Sequence, residues 1–159
     1  MCLVPRKRLI DRFNYTVIVI ALVATAIDAL SKVWARHALA SHAIHVGGAI
    51  WLRLQYNSGI SFSFNQSRTL LTTIATIAVA LVVVIVGLRA RGGLPTVGFG
   101  LLIGGGVANV VDRLSAHPHQ VTDFIALGSF PVFNLADVAI TVGFIVLIVA
   151  ALTGEKLLA

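Results

Sequence analysis

Four runs of about 20 mostly apolar residues, at about 15–34, 69–88, 94–111 and 133–152, constrain this chain more than any other feature, because a helix needs about that length to cross a bilayer. Hydrophobic residues make up 58% of the 159 and charged residues only 11%, against roughly 25% charged in a soluble domain. The reading is an all-α membrane protein with four transmembrane helices, folded as a single domain over residues 1–159. The formal charge of +6 does not indicate nucleic acid as a partner, since the basic residues form no continuous patch and gather at segment ends. Arg6, Lys7, Arg8 and Arg12 before the first run resemble the opening of a signal peptide. The run is too long for one, carries Asp28 and Lys32, and offers no convincing small-residue cleavage site, so it is read as a retained helix. The single cysteine, Cys2, excludes an internal disulfide and has no base beside it.

Lys and Arg bias fixes orientation. Arg6, Lys7, Arg8 and Arg12 precede the first helix, Arg89 and Arg91 link the second and third, and Lys156 lies in the tail. In a four-helix layout these share one side, which is expected to be cytoplasmic, with both termini there. Arg36, Arg53, Arg68 and Arg113 oppose the bias but are scattered. Between the first two helices, Ala49-Ile50-Trp51-Leu52-Arg53-Leu54-Gln55-Tyr56 alternates partly between apolar and polar, the mark of a short strand. Asn57-Ser58-Gly59 follows as a turn, and Phe62 and Phe64 come next. This region, about 37–68, is expected to form a small extracytoplasmic β-sheet between helices 1 and 2, with aromatics at headgroup depth.

Of six acidic residues, Asp28, Asp112, Asp123 and Asp137 lie inside or at the rim of apolar segments. A carboxylate in hydrocarbon is costly, so such residues face a bundle interior or a wet cavity and mark function. The orientation above collects all four at the extracytoplasmic end. Two neighbouring carboxylates share one proton and activate water, the chemistry of aspartic proteases.

The polar islands run, in order, Asp28-Ala29-Leu30-Ser31-Lys32, Asn57-Ser58-Gly59-Ile60-Ser61-Phe62, Gly104-Gly105-Gly106-Val107-Ala108-Asn109-Val110-Val111-Asp112-Arg113, Val121-Thr122-Asp123-Phe124-Ile125 and Phe133-Asn134-Leu135-Ala136-Asp137. In this order and topology they resemble the signal peptidase II family, the bacterial lipoprotein signal peptidases. The resemblance implies a membrane aspartic endopeptidase of the bacterial inner membrane that cleaves diacylglyceryl-modified prolipoproteins just before the lipidated cysteine. Its partners are then that substrate and membrane lipids, with no cofactor and no metal. By position it implies Asp123 and Asp137 as the catalytic aspartates. Asp28, Lys32, Asn57, Gly59, Asn109, Asp112, Arg113 and Asn134 are implied as substrate-binding or supporting residues. Ile60-Ser61 and Ala108 depart from the family's usual small residues, which bears on lid shape and helix packing rather than on the chemistry.

The residues also carry plainer readings. Asp123 and Asp137 could be helix caps or buried hydrogen-bond partners, although Asn134 is the better N-cap candidate and leaves Asp137 nothing obvious to cap. Asp28 and Lys32, spaced i, i+4, share a helix face and suit an ion pair. Its lysine either snorkels to the headgroups or supports the site. Arg113 beside Asp112 suits a local pair or a donor to the substrate. Gly104, Gly105 and Gly106 suit close helix packing. His117 and His119 flank Pro118 without a Glu or Cys to complete a zinc set, and are read as surface loop. The competing class is a small membrane transport or ion-pathway protein, which should distribute polar groups through the membrane depth. The run at 69–88 has only threonines to offer, and the cytoplasmic halves lack acids.

Overall fold

The computed structural model describes residues 14–58, 66–115 and 120–158. Along the chain come α1 (Tyr15–Ala38), β1 (Ile44–Gly47), β2 (Ile50–Asn57), α2 (Gln66–Gly87), α3 (Gly93–Ser115), β3 (Val121–Leu127) and α4 (Leu135–Leu152). Among the described residues three helices, α1, α3 and α4, are long and apolar enough to cross a membrane, and Thr73–Gly87 of α2 is a shorter apolar stretch. Burial runs opposite to that of a water-soluble protein. Leu30 is 70% exposed and Leu152 82%, while Asp28 and Lys32 are each 1% exposed. Large apolar side chains facing outward all along the helices suit hydrocarbon as the surrounding solvent.

Helix α3 is the hub and packs against α1, α2 and α4. Its glycines permit this. A Cβ on Gly104 would stand 2.7 Å from the Ala21 carbonyl oxygen of α1, and one on Gly105 would stand 2.5 Å from that of Ala136 in α4. Backbones in such contact gain dispersion on both sides, which holds helices together where lipid removes the hydrophobic drive. Gly106 differs, since its nearest neighbour would be Ala80 at an ordinary 3.9 Å. Thr25 adds a polar tie, its hydroxyl donating to the Gly104 carbonyl at 3.0 Å. One end of the bundle is closed by Asn14. It caps α1 through Thr16 N–H and donates its side chain to the Ala90 carbonyl (3.1 Å) and to Thr96 Oγ1 (2.7 Å).

At the other end lies a three-stranded antiparallel sheet in the order β1-β2-β3. The expectation of a sheet confined to about 37–68 is corrected here, because β3 comes from the link between α3 and α4. All but Ile125 and Leu127 of β3 are buried, so it lacks the polar–apolar alternation that betrays a half-exposed strand. Asn57, expected in a turn, is the last residue of β2. The first and third helices also outrun their expected ends near 34 and 111, reaching Ala38 and Ser115. Hydropathy reads Arg36, Asp112 and Arg113 as boundaries, but each finds a partner within the fold and the helices continue through them. Ala35, Leu39 and Phe124 form a small core that joins the end of α1 to the sheet.

Candidate active site

The site forms where the tight α3 contacts meet the head of α4. Gly105 draws the backbone of Ala136 against α3, and one turn further along α3 stands Asn109. Its Nδ2 reaches Asp137 Oδ1, next in sequence to Ala136, at 2.9 Å. Asn134 is the N-cap of α4 in a reciprocal box. Its Oδ1 accepts from Asp137 N–H at 2.9 Å, and Asp137 Oδ2 accepts from Asn134 N–H at 3.2 Å. Sequence reasoning gave Asp137 nothing to cap; the structure corrects this, because the cap residue's own N–H is left without a helix partner and the carboxylate three residues on reaches back to it.

Asp123 arrives from β3. The Phe124 and Ile125 N–H groups both donate to the Phe133 carbonyl, at 3.0 and 2.8 Å, and this clasp sets Asp123 beside Asn134. Asn134 Nδ2 then donates to Asp123 Oδ1 at 2.6 Å. From β2, Asn57 Nδ2 donates to Asp123 Oδ2 at 2.9 Å. Asn57 pairs with Val121 and Gln55 with Asp123, so the amide and the carboxylate are diagonal neighbours on one face of the sheet. Every oxygen of the two carboxyls thus accepts an amide hydrogen, and Asn134 touches both groups. Asp123 is 1% exposed, whereas Asp137 and Asn109 are partly open. Burial pushes the Asp123 carboxyl up to about 6, the Asp137 charge adding to the rise while the hydrogen bonds from Asn57 and Asn134 and the Lys32 charge hold it back.

Helix α1 supplies the layer behind. Lys32 is buried and does not snorkel. Its Nζ lies 2.8 Å from Asp28 Oδ2, 2.8 Å from Asn109 Oδ1 and 3.6 Å from Asp112 Oδ2. Asp28 Oδ1 accepts the Ala136 N–H at 2.7 Å, so a carboxylate from α1 satisfies an orphan donor at the positive end of α4. Arg113 Nη1 lies 3.4 Å from the Ser58 carbonyl, within electrostatic reach of Asp123 and Asp137. The structure therefore brings together Asp28, Lys32, Asn57, Asn109, Asp112, Arg113, Asp123, Asn134 and Asp137. Gly59, His117, His119, Phe62, Phe64, Cys2 and the basic residues before Phe13 lie outside the described residues.

Two members were not foreseen. Arg36 Nη1 donates to Asp112 Oδ1 and Thr122 Oγ1, both at 3.0 Å, and Asp112 Oδ2 accepts the Thr122 N–H. This latch fastens β3 to α1 and α3 one residue before Asp123. Its signal in the sequence is spacing: Arg36 continues the i, i+4 ladder of Asp28 and Lys32 on one helix face.

Comparison with known proteins points the same way. Residues 20–153 match the family model for signal peptidase (SPase) II. The chain is similar to a lipoprotein signal peptidase of Rhodococcus jostii, 37% identical over 147 residues that cover 86% of this chain and 72% of that protein. A lipoprotein signal peptidase of Gloeobacter violaceus is 38% identical over 142 residues, covering 86% and 81%. A bacterial membrane enzyme solved by the in meso method at 1.9 Å superposes with a TM-score of 0.74 at 26% identity, over 88% of this chain and 94% of that one.

Proposed function

The chain belongs to the signal peptidase II family, and from that premise we propose that it cleaves prolipoproteins as an aspartic endopeptidase, with Asp123 and Asp137 as its catalytic pair. The observation that carries this reading is their convergence on Asn134, 2.6 Å from Asp123 and 3.2 Å from Asp137. Amide hydrolysis by water needs one ionised carboxyl to take a proton from water and one protonated carboxyl to donate to the carbonyl oxygen. Charge balance favours that state. Among the described residues Lys32, Arg36 and Arg113 face Asp28, Asp112, Asp123 and Asp137, so a single proton on the pair leaves the cluster neutral. The proton belongs to the pair and not to either residue.

The substrate is a precursor bearing a diacylglyceryl cysteine, held in the bilayer by its two chains, and the bond cleaved is the one before that cysteine. Helix α2 is the fourth span. The protein sits in the bacterial inner membrane with both termini cytoplasmic and the site at the extracytoplasmic end. Arg36 and Arg113, which oppose the charge bias in the sequence, are engaged by Asp112 and the Ser58 carbonyl and do not act as loop charges. Exposed Trp51, Tyr56 and Phe130 suit headgroup depth for the sheet. An ion pathway gains no support, since the buried charged residues among those described all belong to this one cluster.

Cleavage of a lipidated precursor in detergent tests the proposal. Turnover should persist with EDTA, and Asp123→Asn or Asp137→Asn should abolish it while the protein still melts cooperatively. Wild-type turnover in either variant would remove that residue from the mechanism.

A further inference from the structure

Asn109 presents an amide, a group whose two ends look alike in shape and differ wholly in chemistry. Nδ2 donates and Oδ1 accepts, and a half-turn about the last side-chain bond exchanges them. What fixes the choice is the group next to it. An ammonium has hydrogens only to give, and Lys32 Nζ stands 2.8 Å from Asn109 Oδ1. The oxygen must therefore face Lys32, which turns Nδ2 to Asp137 Oδ1 at 2.9 Å. Asn134 Nδ2 also approaches Asn109 Oδ1, but at 3.3 Å. Asn134 is itself held the right way round, since its Oδ1 accepts the Asp137 backbone N–H, which can only donate.

We infer that Lys32 is a positioning residue that sets the direction of the Asn109 amide, so that Asp137 meets an N–H donor and not a carbonyl oxygen. The inference rests on the aspartic reading of Asp123 and Asp137 and deepens it. Turned the other way, Asn109 would set a carbonyl oxygen against the carboxyl. Two acceptors tolerate that contact only with a proton between them, and such a proton stays with Asp137 and unbalances the shared-proton state. Lys32 is itself held firmly. It is 1% exposed, paired with Asp28 and close to Asp112. Among the described residues, Arg113 of α3 and Asp123 of β3 act on Asp137 through their charges, and Asp28, Lys32 and Arg36 of α1 with Asp112 of α3 form the charged layer behind. Lys32 is the one that touches the amide donating to Asp137.

The test is Lys32→Met in isotope-labelled full-length protein in detergent, with Lys32→Arg as the variant that keeps a donor-only cation. The direct readout is the nuclear Overhauser contact between the Asn109 side-chain NH2 and the Asp137 Cβ protons, which should be strong in the wild type and weaken in Lys32→Met. In precursor cleavage, kcat should fall by about tenfold or more with KM within about twofold. The acid limb of the kcat/KM profile should move up by about one pH unit, and Lys32→Arg should recover part of both. A double-mutant cycle separates orientation from bare charge: in an Asn109→Ala background, adding Lys32→Met should change kcat by less than about twofold. Should Lys32→Met not fold for want of a partner to Asp28, the pair Asp28→Asn/Lys32→Met removes the stranded charge and carries the same expectations. A full Lys32 effect in the Asn109→Ala background, or an unmoved Overhauser contact in folded Lys32→Met, overturns the inference. If Asp137→Asn keeps wild-type turnover, the catalytic reading fails by itself and the Overhauser contact still decides the role of Lys32.

Discussion

Asn134 and Asp137 cap one another at the head of α4, and the same Asn134 side chain donates to Asp123 at 2.6 Å. Cap and site are therefore one structure. Asn134→Ala should lower stability by about 1 kcal/mol through the lost cap, yet reduce precursor cleavage far more than that loss implies. Asn134→Asp keeps a capping acceptor but sets a third carboxylate against Asp123. Burying that charge should lower the melting temperature at neutral pH and let it recover toward acid pH as the added carboxyl takes up a proton, while the variant stays inactive throughout. Activity that merely tracks the melting temperature across both variants would reduce Asn134 to a cap.

The glycines of α3 give a matched pair. A Cβ on Gly105 meets the Ala136 carbonyl oxygen at 2.5 Å, whereas one on Gly106 meets nothing nearer than Ala80 at 3.9 Å. Gly105→Ala should force α3 and α4 apart, cost about 1–3 kcal/mol and misalign Asn109 with Asp137. Gly106→Ala should be neutral, or stabilising by up to about 1 kcal/mol from helix propensity. Thermal unfolding of the two variants checks this; equal melting temperatures would contradict the packing account.

Arg36 latches β3 by bridging Asp112 and Thr122. Arg36→Met should cost about 1–3 kcal/mol by leaving charge-assisted hydrogen bonds unmade, and amide hydrogen exchange over Val121–Leu127 should speed up ahead of the helices. Both bonds leave one nitrogen, Nη1, and an ammonium also has more than one hydrogen to give, so Arg36→Lys should recover part of the loss, limited by its shorter reach. Unchanged exchange in β3 would dismiss the latch.

Asp123 also leaves a mark on stability against pH. Its carboxyl stands at about 6 in the fold against an ordinary 3.8, so folding favours the protonated form. A raised value contributes stability that is full below the unfolded value and is lost as pH rises through the folded one. Wild type should therefore lose on the order of 2–3 kcal/mol relative to Asp123→Asn between about pH 4 and 6. Asn57→Ala removes a hydrogen bond that opposes the rise and should push this window upward. Melting curves of the three proteins at several pH values decide the matter; a pH-independent difference would contradict the assignment.

Much of the fold was legible from the chain. The apolar runs located α1, α3 and α4, and the ladder from Asp28 to Lys32 announced its ion pair. The triple glycine announced close packing, though not that Gly106 would have room for a side chain, its nearest neighbour being Ala80 at 3.9 Å. Strand β2 was legible from its partial alternation, but its bulge was not. Arg53 and Leu54 together oppose the single residue Phe124, and this bulge shifts the alternation by one residue, setting Leu52 and Asn57 on the same face of the sheet. Strand β3 was hidden because burial erased its period, and Arg36 because a lone cation near a helix end reads as an orientation charge until its partner from α3 is known.

The sequence by itself determined the solvent and the cast: apolar runs of bilayer length demand lipid, and acids within them demand partners. Only the tertiary structure decided who partners whom. A hydrogen bond is short and directional, so whether Asp137 meets Asn109 or Asp123 meets Asn57 depends on backbones approaching within a few ångströms. Those approaches join residues far apart in the chain, through glycine contacts and strand register that local periodicity does not encode.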